Sequence, residues 1–95
     1  MDGLELRRKR ALYRASHRGT KELDLILGRF AMACVPEMNS ERLAAFERLL
    51  SCPDPDIDYW VRNGGAPDGL SEAAEELRCF LGLPADKALT SNLDE

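Results

Sequence analysis

The residues of this chain best equipped for chemistry crowd into one segment of six positions, His17-Arg18-Gly19-Thr20-Lys21-Glu22. They bring together an imidazole, a guanidinium, a bare stretch of backbone and a carboxylate. Such a group suits docking on a polar site of another protein. The guanidinium donates in a fixed fork, and glycine lets a foreign backbone come close. The same residues also make an ordinary helix-to-helix turn. On that reading Gly19 takes a left-handed position after one helix, Thr20 caps the next, and Glu22 sits on its positive dipole end.

Other chemistries find less support. The cysteines Cys34, Cys52 and Cys79 lie 18 and 27 residues apart, with no C-x-x-C pair, and His17 is the single histidine. That set builds neither a zinc site nor a disulfide framework. Cys34 and Cys79 fall within apolar helical patterns and read as reduced core thiols. Cys52, beside Pro53, is the remaining redox candidate, and its surroundings do little to support that role. Nothing in the sequence sets a serine and an aspartate around His17, and the glycines do not form a phosphate-cradling loop. Asp54, Asp56 and Asp58 lack the glycine and terminal glutamate of a calcium loop, so they read as helix caps and helix surface. Catalysis by this chain alone is not expected.

The elements that must position the segment are helical throughout, an all-α chain of about five short helices in one small bundle. Leu4, Arg8, Ala11, Leu12 and Ala15 make a weakly amphipathic first helix. The second runs from about Lys21 to Val35, with Leu23, Ile26, Leu27, Phe30 and Cys34 on one stripe and Pro36 as its stop. Asn39 or Ser40 caps a third, which turns Leu43, Phe46, Leu49 and Leu50 inward. Asp54 as N-cap, with Pro55 behind it, starts a short fourth helix carrying Ile57, Trp60 and Val61, ended by Asn63-Gly64-Gly65. Ser71 opens a fifth with Ala73, Ala74, Leu77, Phe80 and Leu81 on its stripe, closed by Gly82 and Pro84. Residues 1–84 thus form the helical domain, and residues 85–95 read as a loose tail. The second helix is apolar on two sides, because Leu25 and Met32, near Gly28, point away from the Leu23/Phe30 stripe. A central, sandwiched position accounts for this in so small a protein. The alternative is a side that meets a partner.

Charge is unevenly spread. The net charge is −4. Residues 1–29 hold eight basic side chains (Arg7, Arg8, Lys9, Arg10, Arg14, Arg18, Lys21 and Arg29) against four acidic ones, and the rest holds five against thirteen. A basic third on an acidic body suggests one face turned toward an acidic partner. Two helices joined at Gly19 superficially resemble a helix-turn-helix. However, the second begins Lys21-Glu22-Leu23-Asp24, and two carboxylates at the reading end repel DNA. With a pI near 5.0, nucleic acid is not the expected partner. No apolar run approaches a membrane span, and no signal or transit peptide is visible, so a cytoplasmic location without membrane insertion is expected.

One resemblance ties these parts together. Arg18-Gly19-Thr20-Lys21-Glu22-Leu23-Asp24 looks like the R-G-x-x-E-L-D signature of the succinate dehydrogenase assembly factor 2 family, the flavinylation factors. The likeness continues through Phe46-Glu47-Arg48-Leu49-Leu50, Asp54-Pro55-Asp56-Ile57 and Tyr59-Trp60-Val61, covering about residues 8–65 in order. The first block alone is weakly specific, and joined to the later blocks it becomes specific. The departures are small: His17 stands where the family often has a basic residue, and Thr20 where it often has methionine. The resemblance implies a five-helix bundle that binds the flavoprotein subunit of succinate dehydrogenase, and in some bacteria that of fumarate reductase. It implies that FAD becomes covalently attached to the client and that this chain holds no cofactor itself. The client-binding residues it implies are Arg18, Gly19 and Glu22, with Lys21 and Asp24 beside them and His17 flanking.

Overall fold

The computed structural model describes residues 3–83. The expected tail at 85–95 lies outside them. Five α-helices run in order: α1 Gly3–Ser16, α2 Lys21–Cys34, α3 Ser40–Leu50, α4 Asp54–Asn63 and α5 Ser71–Phe80. A short 3-10 turn, Val35–Glu37, links α2 to α3. It takes up Val35, so α2 ends one residue earlier than the sequence suggests; Pro36 cannot carry the helix on.

The helices fold as their stripes direct. Leu23, Leu27 and Phe30 of α2, Leu43, Phe46, Leu49 and Leu50 of α3, Ile57 and Val61 of α4, and Ala73, Ala74 and Leu77 of α5 form one buried cluster. Phe30 is its hub, edge-on to Phe46 at 5.3 Å and to Phe80 at 5.5 Å between ring centroids. Ala11 and Ala15 bring α1 close, and a Cβ on Gly28 would come within 3.2 Å of Ser16 Oγ, so glycine there lets α1 and α2 approach. Two expected caps are in place. Thr20 Oγ1 accepts from the Leu23 amide, and Asn39 Oδ1 accepts from the Arg42 amide.

Several expectations need correction. The N-cap of α4 is Pro53, not Asp54; α5 opens at Ser71 as expected, after Leu70, and neither Pro53 nor Leu70 makes a side-chain cap bond. Gly19 is not left-handed; among the described glycines positive φ belongs to Gly64, Gly65, Gly69 and Gly82. The sandwich fails on the second side of α2, where Leu25 is 55% and Met32 73% exposed. Cys79 is exposed rather than a core thiol, and Phe80, on the expected inward stripe, is 43% exposed. Both lie at the end of α5, beside an open cleft they share with Phe30, Cys34 and Arg42. Among the described residues no helix is long and apolar enough to cross a membrane.

Candidate functional site

The α1–α2 turn is fastened to the α3–α4 junction by Arg18. Its Nη1 donates to the Leu50 carbonyl at 2.6 Å and its Nη2 to the Cys52 carbonyl at 2.9 Å. These oxygens stand at the negative end of α3, where a cation is welcome. The Arg18 Nε and Nη2 also reach Asp54 Oδ1 at 2.9 and 2.8 Å. The second oxygen, Oδ2, accepts the Gly19 amide at 3.1 Å. Asp54 stands at the positive end of α4, so guanidinium and carboxylate each sit at the favourable helix terminus. Burial works against the Asp54 carboxylate, but hydrogen bonds from Arg18 and Gly19 outweigh it and hold the carboxyl below its ordinary value.

Space at Gly19 is tight. A Cβ would lie 3.3 Å from Asp54 Oδ2, tighter than ordinary contact. Asp24 reaches back from the first turn of α2 to accept the Arg18 amide, while its own amide donates to the Thr20 carbonyl. The turn is therefore held on both flanks.

Glu22 is differently placed. Its side chain is 62% exposed, and its one recorded partner is Arg62 Nη2, 3.4 Å away. Arg62 is gripped more firmly by Asp58, whose two oxygens both lie 3.0 Å from Nε. A cleft of about 300 Å³ opens between α2 and α4, lined by Thr20, Glu22, Leu23, Asp54, Pro55, Asp58 and Arg62. Lys21 and His17 are exposed. The His17 ring stacks on Tyr13 at 3.9 Å, and its Nδ1 donates to the Tyr13 carbonyl. That carbonyl can only accept, so Nδ1 carries the proton.

All six sequence-identified residues thus gather at one end of α2, in two tiers. Arg18 and Asp24 turn their polar groups inward, whereas His17, Gly19, Lys21 and Glu22 lie at the surface. Sequence reasoning missed Asp54, Asp58 and Arg62, which α4 sets opposite the turn. Asp54 has a signal, the Asp54-Pro55-Asp56-Ile57 block, which belongs to the family likeness but by itself reads as a helix start. The basic third also divides. Arg7 bonds Glu47 and Ser40, Arg8 the Met38 carbonyl, Arg14 Ser51 and Arg18 the junction just described. Lys9, Arg10, Lys21 and Arg29 are exposed and have no recorded partner among the described residues.

The arrangement offers charged and polar groups at an exposed turn. Among the described residues no group of three or more His, Cys, Asp or Glu could hold a metal. Burial pushes the Cys34 and Cys52 thiols above their ordinary value, away from the reactive thiolate.

Comparison with known proteins gives the family. The family model described as flavinator of succinate dehydrogenase matches residues 9–81. The FAD assembly factor SdhE of Acetobacter pasteurianus is 42% identical over 60 residues, 63% of this chain and 55% of that protein. The SdhE of Aliivibrio fischeri is 38% identical over 60 residues, 63% of this chain and 70% of that protein. The mitochondrial succinate dehydrogenase assembly factor 2 of Yarrowia lipolytica is 43% identical over 57 residues, 60% of this chain and 39% of that protein. The match therefore spans about half of the Acetobacter protein and less of the Yarrowia one.

Proposed function

Because this chain belongs to the flavinator of succinate dehydrogenase family, we propose that it is an assembly factor for the flavoprotein subunit of succinate dehydrogenase. It binds that subunit and promotes covalent attachment of FAD, with the fumarate reductase flavoprotein as a second client. The observation that carries this reading is the family match over 9–81, which encloses the whole site, including the turn and the α4 residues facing it.

The client meets Gly19, Lys21, Glu22 and His17 at the surface, with Arg18 and Asp24 shaping the turn beneath them. The contact extends along α2 over Leu25 and Met32, whose exposed apolar side chains alternate with the cations Lys21 and Arg29. An apolar face edged by unpaired cations suits an acidic, partly apolar surface. The chain performs no step of the reaction and holds no FAD. It favours the client conformation in which flavin and the client's histidine meet, and so raises the rate by population shift. It works in the cytoplasm. A nucleic-acid regulator is the poorer reading, since half of the N-terminal cations are spent on hydrogen bonds within the chain.

The test is co-expression with the flavoprotein, reading covalent flavin by fluorescence in a denaturing gel. Wild-type protein is expected to co-purify with the flavoprotein and to raise its fluorescence. Glu22→Ala and Gly19→Arg are expected to stay folded by circular dichroism and to leave the flavoprotein dim. Full fluorescence with both variants, or without the factor, overturns the reading.

A further inference from the structure

An aspartate in the first turn of a helix ordinarily turns its carboxylate to that helix's own free amides. Asp54 does not. The amides of Asp56 and Ile57 are taken by the Pro53 carbonyl, and every recorded side-chain bond of Asp54 goes to the α1–α2 turn. One oxygen serves the Arg18 guanidinium, and the other serves the Gly19 backbone. The same Oδ2 is what a Cβ at position 19 would strike, at 3.3 Å. Asp54 therefore accounts for the direction of the Gly19 amide and for the tight space at that position.

We propose that Asp54 is the positioning residue of the docking turn: by dividing its oxygens between Arg18 and the Gly19 amide, it sets the backbone shape offered to the client. The inference rests on the proposed function and deepens it. Arg18 links the turn to α3, but among the described residues only Asp54 touches both the guanidinium and the backbone of the exposed glycine. A small shift of this carboxylate moves a surface that the partner reads.

Two measurements test it on the full chain. The first compares Asp54→Asn with Val61→Ala, which trims a buried core residue on the same helix away from the turn. Asp54→Asn is expected to weaken flavoprotein binding at least tenfold and to shift the Gly19 amide resonance. Val61→Ala, at equal or greater loss of melting temperature, should keep binding within twofold and leave that resonance in place. The second is a double-mutant cycle. Gly19→Ala should weaken binding in the wild-type chain yet cost nothing further in an Asp54→Ala background, because the atom it strikes is gone. Additive losses, or an Asp54→Asn variant no weaker than Val61→Ala, overturn the inference while leaving the proposed function standing. If Asp54→Asn fails to fold, the cycle with Asp54→Ala decides. A wild-type chain that captures no flavoprotein overturns the proposed function and this inference with it.

Discussion

Arg18 and Glu22 stand four residues apart in one signature, and the fold treats them in opposite ways. Arg18 is 11% exposed and spends its guanidinium on Asp54 and on two carbonyls. Glu22 is 62% exposed, held by a 3.4 Å contact to an arginine that has a better partner in Asp58. A largely buried, multiply bonded ion pair is costlier to break than an exposed pair, which contributes little and exchanges freely. One end of the signature anchors the turn, and the other is free to change partners. A short motif can thus serve fold and recognition together, with the division drawn by burial.

The sharpest way to break this contrast is Arg18→Ala. It strands the Leu50 and Cys52 carbonyls and leaves Asp54 charged without its cation, so a loss of about 2–4 kcal/mol is expected in urea unfolding. Asp54→Asn follows, at about 1–3 kcal/mol at neutral pH for the charge-assisted bonds it weakens. Its pH dependence fixes the cause. A carboxyl held below its ordinary value stabilises the fold fully above that value, about pH 4. The advantage disappears as pH falls through the depressed one. The stability gap between wild type and Asp54→Asn should therefore be full at pH 7 and shrink on acidification below about pH 4, measured by urea melts across that range. A gap of constant size would assign the effect to shape instead of charge.

At the other end of the signature, Glu22→Ala should leave the melting temperature unchanged while covalent flavin on the client falls. A marked loss of stability would erase the distinction from Arg18. Met32→Ser has the smallest expected effect on the fold, because that side chain is 73% exposed. It should weaken client capture at unchanged melting temperature, and unchanged capture would remove the outer face of α2 from the contact.

The core was legible because helical periodicity is local. Leu43, Phe46, Leu49 and Leu50 must share a face whatever surrounds them, and Thr20 and Asn39 cap helices that begin next to them. The signature turn was legible for the same reason, as a break between two stripes. The second side of α2 was not. Leu25 and Met32 announce an apolar face, but whether a helix covers it depends on how many helices the chain can bring there. Five short ones leave it open. Asp54 shows the same limit: an aspartate before a proline reads locally as a cap, and its partners lie 35 and 36 residues away.

By itself, then, the sequence determined the helices, their inward faces and the segment where the proposed client-binding residues concentrate, because each depends on neighbours within a turn or two. Only the tertiary structure decided which charges of that segment hold the molecule together and which remain for a partner. That choice is made by burial and by side chains from a distant helix, and no local pattern carries it.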